Sequence, residues 1–200
     1  MSTTVGRIET LDFTSISRKP LQPENCALVV IDVQEKLLPP IFNREALVRN
    51  SALLIHAARI LGIPVMVTTQ YAKGLGGTVP ELAELVTDVT PIDKTEFSCF
   101  GKDTFCSAVK ALPGNRNTML LCGMEAHICV MQTALGALDQ GYLVHVASDA
   151  IGSRSEWNWQ VGLERMQNSG AVISSTEMMI YELMRKSGTP QFKELLQYIR

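Results

Sequence analysis

Long apolar runs are missing from this 200-residue chain. The longest, such as "ALVVI", fall far short of the ~18 residues a membrane-spanning helix needs. The opening "MSTTVGRIETLDF" has no apolar segment of the kind a secretory signal carries, and too little positive charge for a transit peptide, so neither is expected. No block of like charges occurs, so no solvating tail is expected. The 18 Lys and Arg nearly balance the 20 Asp and Glu, and a net charge of −2 argues against nonspecific nucleic-acid binding, which needs a concentrated basic field. Cysteine is sparse: five residues, an odd number with no C-x-x-C spacing, as for reduced thiols in a cytoplasmic protein. There is no internal repeat and no low-complexity segment. What remains is a chain of ordinary globular composition, long enough to bury ~70% of its surface as one domain over 1–200.

Residues 1–22 are polar and read as an arm, 23–185 as the core and 186–200 as a C-terminal helix. "CALVVID" (26–32) is short, apolar and β-branched, the pattern of a strand buried on both faces. "NREALVRNSALLIHAARILG" (43–62) carries apolar residues at helical spacing, with Asn43 placed to cap it and Gly62 to stop it. Further strands are expected at 63–69, near "VTPIDK", and at 117–123, 142–150 and 171–175. Helices are expected at 79–86, 103–112, 126–141 and 155–170. Parallel strands need crossovers and helices supply them, so the alternation predicts an α/β protein with a mainly parallel sheet and helices on both faces. In such folds ligands bind at the carboxyl ends of the strands. That rule selects Asp32, Thr68 to Tyr71, Lys94, Gly123 to Cys129 and Asp149.

Taken singly, three of these have ordinary readings. Asp32 fits a capping or loop carboxylate, Lys94 a solvated lysine, and Cys129 a small buried residue. Together they suggest chemistry. A thiol at a helix start feels the positive end of the macrodipole, which favours thiolate, and a nearby lysine favours it further. A carboxylate within reach can accept the thiol proton and later activate water.

The segments "VVIDVQEKLL", "DKTEFSCF" and "CGMEAHICVMQTALGALDQGYLVHVASDAIGSRS" together resemble the isochorismatase-like cysteine hydrolases over residues 25 to 185. "TTQYAKGLGGTVPEL" and "FKELLQYI" look closest to the isochorismatase domain-containing branch. The resemblance implies a Rossmann-like three-layer α/β/α sandwich with a six-stranded, mainly parallel sheet. It also implies a catalytic triad: Asp32 as general base, Cys129 as nucleophile, and Lys94 holding Asp32 and stabilising negative charge. It further implies a cis peptide at Met124–Glu125, with the N–H groups of Glu125 and Cys129 forming an oxyanion hole. Nicotinamidases of this family carry a metal set that begins with Asp-x-His after the second strand. Here the region reads "TTQYAKG", and His56, His127 and His145 are scattered, so neither metal nor other cofactor is expected. True isochorismatases split a vinyl ether without a cysteine nucleophile, so Cys129 points instead to acyl chemistry.

Gln34, Gln70, Tyr71, Phe97 and Phe100 fall near strand ends and are candidates to line a substrate, although aromatics there also read as packing. His127, two positions before Cys129, does not share its helical face. Cys99 and Cys106 read as buried rather than as redox partners. "GLGG" (74–77) lacks the Gly-Lys-Ser/Thr of a phosphate loop. The expectation is a cysteine hydrolase that cleaves a small amide-like C–N substrate through a thioester. The alternative is a non-hydrolytic thiol redox sensor, or a scaffold with a vestigial site. Trp157 and Trp159 lie about 200° apart on a helix, so one is left exposed if the other packs. Exposed tryptophan is enriched at interfaces, so a homo-oligomer, dimer or larger, is expected.

Overall fold

The computed structural model describes residues 20–199. Most of the expected arm therefore lies outside the described residues. In chain order the elements are β1 (Cys26–Ile31), α1 (Arg44–Ile60), β2 (Val65–Gln70), α2 (Ala72–Leu75), α3 (Pro80–Ala83), β3 (Ile92–Lys94) and α4 (Asp103–Lys110). There follow β4 (Thr118–Met124), a π-helical turn (Ala126–Val130), α5 (Met131–Asp139), β5 (Leu143–Gly152), α6 (Glu156–Asn168), β6 (Val172–Ser174), α7 (Thr176–Met184) and α8 (Pro190–Leu195).

The six strands form one sheet in the order β3-β2-β1-β4-β5-β6, with every pairing parallel. Alternation along the strands explains the layers. Cys26, Leu28 and Val30 of β1 share one apolar core with Leu47, Leu54 and Ile55 of α1 and Ile180 and Leu183 of α7. Ala27, Val29 and Ile31 face the other core, with Phe105 of α4, Val130, Ala134 of α5 and Met166 of α6. Both faces are covered, so β1 and β4 are buried at every position. The result is the expected three-layer α/β/α sandwich. Strand order reverses between β1 and β4, which opens a crevice at their carboxyl ends. Among the described residues no helix is long and apolar enough to cross a membrane.

Three local expectations need correction. Asn43 precedes α1 but makes no side-chain cap; its amide donates instead to the Ile151 carbonyl at 2.9 Å, tying the helix start to β5. The helix expected over 126–141 is split into the π turn and α5, because Val130 N–H reaches back five residues to the Glu125 carbonyl at 3.2 Å. The C-terminal helix is confined to six residues, starting after the Thr189 cap and Pro190.

Candidate active site

Asp32 is the first residue beyond β1. Its backbone is left-handed, with φ 51°, a conformation that Asp tolerates better than most residues. Its N–H donates to the Thr68 carbonyl of β2 at 3.2 Å. The turn buries the carboxylate fully at the carboxyl end of the sheet. Lys94 ends β3, two strands away. To reach Asp32 its four-carbon stem must cross the end of β2, a span of about 10 Å at ordinary strand spacing. It does so: Lys94 Nζ lies 2.6 Å from Asp32 Oδ2, with both side chains inaccessible to solvent. Thr68 donates its hydroxyl to the other carboxylate oxygen, Oδ1, at 2.7 Å. Gln70 Oε1 accepts a second bond from Lys94 Nζ at 2.7 Å.

Cys129 sits in the π turn after β4, only 6% exposed. Burial pushes its thiol up to about 12; the Asp32 carboxylate adds to this by its charge and as hydrogen-bond acceptor, while Lys94 works the other way. Burial thus works against the expected bias toward thiolate. The turn places the sulfur in an apolar wall beside a carboxylate, and desolvation outweighs Lys94. Asp32 lies close enough to Cys129 for its charge and its oxygens to act on the thiol. The Met124–Glu125 peptide is cis, as the resemblance implied. Among the described residues the Glu125 N–H finds no acceptor. The Glu125 side chain accepts from Arg154 Nε at 2.9 Å and from the Arg154 N–H at 3.3 Å.

The remaining candidates separate by position. Gln34 is fully buried and bonded at both ends: Oε1 accepts from Gln70 N–H at 2.6 Å, while Nε2 donates to the carbonyls of Gly76 (2.7 Å) and Gln70 (3.1 Å). Gln70 supports Lys94 and donates to the Thr95 carbonyl at 2.9 Å. Both glutamines thus hold the β2 and β3 ends in place. Tyr71 and Phe97 are exposed. Phe100 packs edge-on against Phe105, with centroids 5.2 Å apart. His127 pairs through Nδ1 with the buried Ser153 hydroxyl at 3.0 Å. Among the described residues no group of three or more His, Cys, Asp and Glu is arranged to hold a metal ion.

Thr68 was named only within a stretch of strand end, and its bond to Asp32 gives it a role that residue type alone did not reveal. Cys99 was likewise missed as a neighbour of the site. It is fully buried, its sulfur lies 3.9 Å from Thr68 Oγ1, and its N–H donates to Thr133 Oγ1 of α5 at 3.0 Å. The sheet register places Thr68 opposite Ile31, immediately before Asp32.

A family model for the isochorismatase domain matches residues 26–178. The chain is 39% identical over 183 residues to a secreted isochorismatase effector of Phytophthora sojae, covering 90% of this chain and 87% of that one. It is also 39% identical over 178 residues to isochorismatase domain-containing protein 2 of Rattus norvegicus, covering 89% and 82%. Among solved structures it is similar to one described as a MAR1 ribonuclease from Caenorhabditis elegans, with TM-score 0.84, 39% identity and 90% and 92% coverage. It is also similar to the YcaC product of Escherichia coli, described as an octameric hydrolase of unknown specificity, with TM-score 0.83, 25% identity and 90% coverage of each chain.

Proposed function

Because the chain belongs to the isochorismatase family, a family of hydrolase fold, we propose that it is a cysteine hydrolase acting on a small amide-like acyl C–N bond. The observation that carries this reading is a fully buried carboxylate paired with Lys94 and close enough to the Cys129 thiol to raise it. In the proposed cycle the Cys129 sulfur attacks the acyl carbon while its proton passes to Asp32. The carbonyl oxygen becomes an oxyanion, to which the N–H groups of Glu125 and Cys129 donate; each such donor contributes about 3 kcal/mol in the transition state. Asp32 then gives its proton to the departing nitrogen, the C–N bond breaks, and an amine leaves. The acyl group remains as a thioester on Cys129. Water, losing a proton to Asp32, attacks the thioester, and the released sulfur takes that proton back. Lys94 stays charged throughout and offsets the negative charge on Asp32.

Gln34 and Gln70 shape the wall beside Lys94, while Tyr71, Phe97 and Phe100 are the aromatic candidates at the rim. Five free cysteines among the described residues agree with a reducing, cytoplasmic setting, whereas the similar Phytophthora protein is a secreted one. The octameric E. coli neighbour supports a homo-oligomer.

A turnover screen over small amides, ureas and carbamoyl compounds tests the reading, with Cys129→Ala as control. Mixed-sequence RNA belongs in the screen because the C. elegans neighbour bears a ribonuclease name. Amide turnover that vanishes in Cys129→Ala is expected. Full amide turnover in that variant, or RNA cleavage with no amide turnover, overturns the proposal.

A further inference from the structure

Asp32 must be basic enough to take the thiol proton, yet aimed so that it gives that proton to the departing nitrogen. Lys94 alone does not fix its aim, because a single ion-pair contact at Oδ2 leaves the carboxylate free to rotate. Thr68 supplies the missing constraint. Its carbonyl holds the Asp32 N–H at 3.2 Å and its hydroxyl donates to Oδ1 at 2.7 Å, so one residue grips Asp32 by backbone and side chain at once. The direction of the hydroxyl proton is set as well. An ionised carboxylate only accepts, so the Thr68 O–H must point at Asp32. The Thr68 oxygen then has lone pairs left for the Cys99 S–H, 3.9 Å away. Cys99 is in turn bonded through its N–H to Thr133 Oγ1, one helical turn beyond the nucleophile. A strut therefore runs from the nucleophile's helix through Cys99 and Thr68 to the base.

Resting on the hydrolase reading, we propose that Thr68 is a positioning residue that tunes Asp32 as the general base. Its hydroxyl stabilises the charged carboxylate and fixes which lone pairs face the Cys129 thiol. Removing that donor makes Asp32 hold a proton more readily and frees its rotation. The acid limb of the rate profile then moves to higher pH, and the maximum rate falls.

The test uses p-nitrophenyl acetate as a generic acyl probe, reading p-nitrophenolate release against pH for the full chain. Thr68→Val is expected to lower kcat/KM about tenfold and to raise the acid-limb midpoint by about one pH unit, as for loss of one charge-assisted bond. Thr68→Ala deletes the same donor without setting a methyl group against the carboxylate, and must shift the limb the same way. Thr68→Ser restores the hydroxyl and is expected to return the midpoint to the wild-type position. A limb that stays in place in the folded Val or Ala variant overturns the proposal, as does a Ser variant that behaves like Ala. Cys129→Ala separates this failure from that of the underlying reading: undiminished release there refutes the hydrolase mechanism itself, whatever Thr68 does.

Discussion

Substituting Lys94 by Met leaves the volume of the lysine stem in place and removes its charge, together with its hydrogen bonds to Asp32 and Gln70. In the native protein the ammonium lies 2.6 Å from a carboxylate, with both side chains shielded from water. At an effective dielectric of about 20 the gross attraction is about 6 kcal/mol. Desolvating the two ions costs several kcal/mol each, so the intact pair is close to neutral for stability. Removing one partner is not. Asp32 is left charged and buried, with only the Thr68 hydroxyl and the weakly donating Cys129 thiol beside it among the described side chains, and stranded ions of this kind cost about 3–5 kcal/mol. For a chain of this size that is a fall in Tm of roughly 6–20 °C. Urea denaturation at pH 7, followed by circular dichroism, measures it as a lower midpoint with an unchanged slope. The double variant Asp32→Asn/Lys94→Met removes both charges and keeps an oxygen for the Thr68 hydroxyl. It is expected to recover to within about 2 kcal/mol of the wild type, as whole-pair replacements do. A single variant that loses less than about 1 kcal/mol, or a double variant no better than the single, refutes this account of the pair.

Three further outcomes are expected. Asp32 raises the Cys129 thiol by charge and by hydrogen bonding, so Asp32→Asn removes two raising causes and leaves Lys94, which lowers it. Iodoacetamide labelling of Cys129 at pH 8, mapped by mass spectrometry, then speeds up by about tenfold or more even as acyl turnover is lost; slower labelling contradicts the assignment. Gly123 has φ +119°, and an added Cβ would stand 2.0 Å from the Ile31 carbonyl oxygen, so Gly123→Ala is expected to cost at least about 3 kcal/mol. A melting temperature within two or three degrees of the wild type would show that β1 and β4 can separate there. Trp157 is 72% exposed, whereas Trp159 is anchored by its indole N–H to the Ser148 carbonyl at 3.0 Å. Trp157→Ala is expected to weaken self-association in light scattering, and an unchanged assembly moves the interface elsewhere.

Much of the frame was legible because the sheet is buried on both faces. Two-sided burial writes β1 and β4 as continuous apolar runs, and the first charged residue after β1 marks the crevice. Lys94 was legible by the same logic, as the residue ending a weak strand. The ionisation of Cys129 was not. A helix start in the sequence carries no record of how deeply the turn is buried or which oxygen it faces, and those two quantities raise the thiol. Nor does sequence spacing reveal a π turn, since one extra residue per turn leaves the apolar pattern of 126–141 nearly unchanged. The roles of Thr68 and Cys99 depend on contacts between segments 31 or more residues apart, which no local periodicity encodes.

The state of the thiol also separates the hydrolase reading from its rivals. A redox sensor needs an accessible thiolate with a resolving thiol nearby. Cys129 is 6% exposed and held protonated, and Cys99 is fully buried with its own thiol pushed up to about 11 by burial and by Asp32. Cys106 lies apart, its sulfur 3.3 Å from the Phe100 carbonyl. A vestigial scaffold fits no better. Buried ion pairs contribute little to stability compared with well-packed apolar residues of the same volume, so a structural role gives no reason to carry a lysine across a strand end into contact with a buried aspartate. Acyl transfer does give one. A thiol that rests protonated needs a base that stays ionised in a dry site until the substrate arrives, and the Lys94 ammonium is what keeps a negative charge tolerable there.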